Sequence, residues 1–150
     1  MLYTGIRILR PSWWAVWIGP QQQQEPKSAL GDKCALDWPL DKHCPTQGCV
    51  AFTNITLRDV YIEQPELGSP GVVLGNVSHA NMRGIVFQNV SVKYTDGKPH
   101  KVVPAKDPAK VLGSNDYACE GVRGCSVGSN PPPPCFTVVS PGVPLPPECH

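Results

Sequence analysis

The sequence predicts an all-β protein, a parallel β-helix in which short strands stack as successive coils of a solenoid. Two observations indicate this fold class: an apolar strand pattern recurs three times, and turn-forming residues are too frequent for long helices. Fourteen Gly and 18 Pro stand among the 150 residues, so turns must be plentiful. Repeats of about 20 to 50 residues are typical of solenoids, in which each coil covers the apolar face of its neighbour.

The repeat is an eight-residue pattern of apolar, any, aromatic, polar, Asn or Gly, aliphatic, any, aliphatic. Its copies are 1–8, 50–57 and 85–92. Apolar positions alternate within each half, which predicts two short strands that meet at a bend. The central residues Gly5, Asn54 and Asn89 tolerate left-handed backbone, so we expect them to stack at one corner of neighbouring coils. In this register Ile55 would lie over Val90.

A further apolar run that ends in Gly follows each of the first two copies, at 15–20 and 71–76. Each coil therefore supplies at least three strand segments. We expect the coils to occupy 1–94, with a Gln-, Pro- and Cys-rich insertion at 21–49.

After residue 94 the pattern fades, and Cys, Gly and Pro dominate the sequence. This composition predicts an irregular Cys-rich cap at 95–136 and a Pro-rich disordered tail at 137–150.

Charge and hydropathy exclude several classes of partner. The net charge is +1, with no block of like charges, so we expect no nucleic-acid binding. The longest apolar run, Trp13–Ile18, is about a third of the length that a membrane span requires, so we expect no membrane insertion. The first residues lack the basic and apolar regions of a secretory signal.

Seven Cys favour an oxidising compartment and disulfide bonds, and the odd number leaves one without a partner in the chain. They are residues 34, 44, 49, 119, 125, 135 and 149. A metal site at Cys34, His43, Cys44 and Cys49 is disfavoured, because the short Cys-x-x-Cys hook of zinc sites is missing. A disulfide that closes the insertion is the preferred interpretation, and we expect neither a metal nor another cofactor.

Three strings carry a resemblance to a known family: Trp13–Gln23, Phe52–Val60 and Ser69–Asn76. They resemble the C-terminal part of polygalacturonase-like proteins of glycoside hydrolase family 28. The likeness covers roughly residues 2–93, with a weaker likeness at 117–136. It implies a right-handed parallel β-helix of the pectin-lyase type in a secreted, monomeric protein. It also implies hydrolysis of α-1,4-galacturonosyl bonds in pectic polysaccharide with inversion, by two carboxyl groups on opposite faces of the sugar ring.

The catalytic motifs of that family are missing from this chain. It contains no Asn-Thr-Asp, no Asp-Asp pair and no Gly-His-Gly, and Arg7-Ile8-Leu9 resembles the Arg-Ile-Lys motif with Leu in place of Lys. Asp37 with Asp41, and Asp59 with Glu63, are interpreted as solvated surface groups. We therefore expect no catalytic residue here, and coils that carry the chemistry would lie upstream. The alternatives are a non-catalytic carbohydrate-binding or adhesive β-helix and a degenerate fragment.

Trp38 and Arg58 are the candidate carbohydrate contacts. Indole faces pack on sugar rings and guanidinium groups bind carboxylates. Trp13, Trp14 and Trp17 lie within the strand pattern, where core packing is the preferred role.

Three Asn-x-Ser/Thr sequons occur, at Asn54, Asn76 and Asn89. Two of them coincide with the expected corner, where an inward side chain would leave no room for a glycan. Asn76 is therefore the candidate acceptor.

Overall fold

The strands of this protein form two parallel sheets, which confirms the all-β prediction. A computed structural model describes residues 1–12, 14–19, 51–66, 69–75, 82–94 and 116–149. Within these ranges the elements are β1 Leu2–Leu9, β2 Val16–Ile18, β3 Phe52–Glu63, β4 Gly71–Leu74, β5 Met82–Lys93, β6 Ala118–Glu120, β7 Val122–Val127, β8 Thr137–Val139 and a 3-10 turn at Pro147–Cys149. The predicted insertion at 21–49 lies outside the described residues.

The chain moves between the two sheets in turn. The long sheet has the order β1-β3-β5-β7-β8 and the short sheet the order β2-β4-β6. All pairings within them are parallel. Each long strand up to β5 is thus followed by a short strand in the other sheet, and both sheets are open at their edges.

The observed register differs from the predicted one by five residues in the middle copy. Thr4 pairs with Arg58, and Arg58 with Gln88, which aligns the next residues of each strand at one corner. These residues are Gly5, Asp59 and Asn89, with φ of 67°, 53° and 54°. The expected place of Asn54 beside Asn89 was therefore wrong.

Asn54 belongs to a second bend instead, where its φ is 55° and that of the neighbouring Gly84 is 65°. Ile55 accordingly pairs with Ile85 and not with Val90. Each of the two central strands carries two bends five residues apart, and the apolar pattern fits either one. Asp59 fits the corner because Asp, like Asn, adopts left-handed backbone at low cost. The predicted pattern admitted only Asn or Gly at this position and therefore missed it.

A hydrogen bond links the corner side chains of adjacent strands. The Asn89 Nδ2 group donates to Asp59 Oδ1 over 2.7 Å. The stacked corner is thus held by side chains as well as by the backbone ladder.

The main core lies between the two sheets. Apolar side chains from alternate positions of the long strands meet those of the short strands, and Phe87 at its centre is fully buried. Phe87 makes edge-to-face contacts with Tyr117 and Phe136, at centroid distances of 5.5 and 5.2 Å. The core therefore joins the long sheet to the C-terminal part of the chain.

The core opens to solvent at the β1 edge. A cavity of about 600 Å³ there is lined by inward residues such as Ile8, Leu57 and Val60. Tyr3 and Ile6 on β1 also line this cavity and are 44% and 37% exposed. The edge strand thus presents an apolar rim with unpaired backbone groups.

Residues 116–149, the described part of the predicted cap and tail, contain regular elements, while 95–115 lies outside the described residues. The segment 95–136 contains β6 and β7, which extend the two sheets, and 137–150 contains β8 and the 3-10 turn. Disulfides join Cys119 to Cys135 and Cys125 to Cys149. These cross-links hold a segment that has few apolar residues of its own.

Candidate functional site

A groove of about 550 Å³ lies on the face of the long sheet opposite the main core. Strands β3 and β5 contribute Thr56, Arg58, Val86 and Gln88 to it. The start of the chain and the C-terminal segment complete its lining, the latter with Leu145 and Cys149.

The strand period explains why polar side chains line this groove. Leu57 and Phe87 point into the main core, and side chains alternate along a strand. Thr56, Arg58 and Gln88 therefore project from the other face. Because Arg58 and Gln88 are paired in register, their side chains lie side by side.

A hydrogen bond fixes the Arg58 side chain in the groove. Its Nε–H donates to Gln88 Oε1 over 2.9 Å. Arg58 is exposed, and its terminal nitrogens make no hydrogen bond within the described part of the chain. The guanidinium is thus oriented through one donor and presents the others to a ligand.

A small apolar cluster anchors the C-terminal wall of the groove. Val86 and Cys125 of the sheet pack against Val139 and Cys149, with Leu145 at the margin. Cys149 is 2% exposed and is bonded to Cys125, with the two Cα atoms 5.5 Å apart. The wall is therefore tied covalently to the strand beside β5.

Arg58 is the predicted carbohydrate contact that the structure places in a concave site. Trp38 and the candidate glycan acceptor Asn76 lie outside the described residues. Gln88 was missed because the slipped register hid its pairing with Arg58. The position of each immediately before a corner residue, Asp59 and Asn89, was the signal that could have found it.

The described tryptophans contribute to a separate cluster and not to the groove. Trp14 and Trp17 contact each other edge to face, with centroids 4.9 Å apart, and pack against Val72 and Ala118 of the short sheet. Val16 and Ile18, on either side of Trp17, enter the main core instead. Trp17 is therefore on the other face of its strand, and Trp13 lies outside the described residues.

The paired acids of β3 are held by neighbouring side chains. Asp59 accepts the hydrogen bond from Asn89, and Glu63 Oε2 lies 3.2 Å from the Arg7 guanidinium. Each of the two carboxylates thus already has a partner on a neighbouring strand.

Two tyrosines near the core stay neutral at ordinary pH. Burial raises the pKa of the Tyr94 hydroxyl to about 12, and the nearby Asp116 carboxylate adds to the shift. Burial also raises the pKa of Tyr117, and Tyr94 contributes to that shift. Neither phenol is suited to act as a base.

Within the described ranges no group of three His, Cys, Asp or Glu side chains is arranged to hold a metal ion. In the same ranges no helix has the length and hydropathy needed to cross a membrane.

No protein-family model, no curated protein and no solved structure matches this chain.

Proposed function

We propose that this chain forms coils of a right-handed parallel β-helix, the C-terminal part of a polygalacturonase-like glycoside hydrolase that acts on pectic polysaccharide. The parallel strands that return to the same sheet and the stacked corner residues support this fold. The apolar rim of β1 supports the placement of further coils beyond it, since a preceding coil would cover the core-facing side chains of Tyr3 and Ile6. In such a protein those coils carry the catalytic carboxylates.

The proposed role of this part is to bind the polysaccharide without cleaving it. The groove beside Arg58 is the observation that carries the proposal. An oriented guanidinium suits a uronate carboxylate, because its donors match the two oxygens. Gln88 and Thr56 supply donors and acceptors for sugar hydroxyls, and Val86 with Leu145 supplies an apolar surface for ring C–H groups.

A second candidate is a free-standing carbohydrate-binding β-helix. It is favoured by one observation: the chain's own C-terminal segment forms a wall of the groove. No preceding coil is needed to complete that wall.

An oxidising compartment is consistent with both candidates. The described residues contain two disulfides, which persist in secreted proteins and are rare in the cytosol. Secretion is part of the proposal.

Calorimetric titration with a galacturonic acid oligosaccharide tests the binding role. We expect Arg58→Ala to weaken binding about tenfold or more, since a hydrogen bond to a charged group contributes about 1.5–3 kcal/mol. Arg83→Ala is the matched control, because Arg83 is exposed on the same strand pair but is outside the groove lining. The affinity of this variant for the oligosaccharide should equal that of the wild type. Equal affinities for wild type and Arg58→Ala would contradict the proposal.

A reducing-end assay separates binding from hydrolysis. We expect no release of sugar by this chain, because it lacks the catalytic motifs. Steady release by the purified chain, lost on Asp59→Asn, would overturn the non-catalytic role.

A further inference from the structure

The first sequon, Asn54-Ile55-Thr56, lies on β3 at the bend where Asn54 has a φ of 55°. An inward corner side chain would have excluded a glycan. The side chain of Asn54 is exposed, while Ile55 packs against the main core. The side chain of Asn54 therefore points away from the core, contrary to the expectation from sequence.

The surroundings of Asn54 leave its side-chain amide accessible. Its backbone carbonyl accepts a hydrogen bond from the Met1 ammonium group over 2.6 Å. The side-chain amide makes no hydrogen bond within the described part of the chain. Asn54 itself lines the groove of about 550 Å³ beside Thr56 and Arg58, so a glycan attached there would extend into the space proposed for the polysaccharide.

The sequon at Asn89 differs in this respect. Asn89 is also exposed, but its Nδ2 donates to Asp59 Oδ1 over 2.7 Å. Strands pair with β5 on both sides. A sugar on that nitrogen would compete with the hydrogen bond that links adjacent corners, so Asn54 is the better acceptor of the two.

We propose that Asn54 is an N-linked glycosylation site. In the transfer, Asn54 Nδ2 attacks the anomeric carbon of a lipid-diphosphate-linked oligosaccharide. The new C–N bond forms as the C–O bond to phosphate breaks, the lipid diphosphate leaves, and a base of the transferase takes the amide proton. A glycan on Asn54 and a bound polysaccharide would share the groove, so glycosylation and oligosaccharide binding are measured in separate experiments.

The test uses the full chain, secreted from a eukaryotic host behind a cleavable signal. The protein is denatured, treated with peptide N-glycosidase in heavy-oxygen water, digested and analysed by mass spectrometry. Enzymatic release converts a glycosylated Asn into labelled Asp. We expect label at position 54, its loss in Thr56→Ala and its retention in Thr56→Ser.

Because occupancy is determined on denatured peptides, a variant that folds poorly still gives an answer. An unlabelled Asn54 in the secreted wild-type protein would overturn the proposal, whether or not Asn76 or Asn89 is labelled. A second measurement tests the geometry: the native glycoform and its enzymatically released form should unfold at the same denaturant concentration. A clearly lower midpoint for the glycoform would contradict an exposed, accommodating site.

Discussion

Replacing Phe87 by Ala should destabilise the protein more than any surface change, because Phe87 connects the long sheet to the C-terminal segment. Phe87 is fully buried and touches the rings of Tyr117 and Phe136. Burial of roughly 150–250 Å² at about 25 cal/mol per Å² gives an upper figure of roughly 4–6 kcal/mol. Measured Phe→Ala substitutions in cores cost about 3–5 kcal/mol, so we expect a loss of about 4 kcal/mol.

Urea unfolding of the disulfide-intact protein, followed by Trp fluorescence, measures this loss. Phe87→Leu keeps an apolar side chain in the site but loses both ring contacts, so it should cost about 2 kcal/mol, less than Phe87→Ala. Val138→Ala is the surface control, since Val138 is 67% exposed, and should change the free energy of unfolding by about 0.5 kcal/mol at most. A loss below about 1 kcal/mol for Phe87→Ala would refute the central place of Phe87 in the core.

Three further predictions concern the C-terminal wall, a buried phenol and the corner. Replacing both Cys125 and Cys149 by Ser should lower the free energy of unfolding by about 3 kcal/mol, as expected for a disulfide between residues 24 apart in sequence. An unchanged urea midpoint would contradict a C-terminal wall that the disulfide holds in place. Alkaline titration followed by phenolate absorbance should show Tyr94 ionising near pH 12. Since its folded pKa lies above the unfolded value of 10.0, its stabilising contribution is complete below pH 10 and is lost as the pH rises to about 12; a normal titration near pH 10 would contradict its burial. Asn89→Val should cost about 2 kcal/mol and Asn89→Gly much less, because a β-branched residue is strained at positive φ; equal midpoints for the two variants would contradict the left-handed corner.

The sequence predicted the all-β class and the repetition because the alternation of apolar residues directly reflects the faces of a strand. It misplaced the middle copy because two bends of similar chemistry lie five residues apart, at Asn54 and Asp59. Only the pairing of strands decides between them, and that pairing depends on contacts between residues distant in the chain.

The candidate site was only partly predictable, because its members come together through the same strand pairing. Arg58 could be selected as a cation on an outward strand position. Its partner Gln88 could be selected only once Asp59 and Asn89 are aligned as corner residues, and the wall at Leu145 could not, since it reaches the groove through the Cys125–Cys149 bond. Composition predicted a disordered tail because Pro is frequent there. Composition alone does not show that Cys149 is bonded to Cys125.

Amide chemical-shift mapping with a galacturonic acid oligosaccharide is the most direct test of the proposed binding groove. The account predicts saturable shifts that cluster at Thr56, Arg58, Gln88 and Leu145 and that disappear in Arg58→Ala. Shifts confined to the Trp14–Trp17 cluster of the short sheet, or no shifts at millimolar ligand, would contradict it.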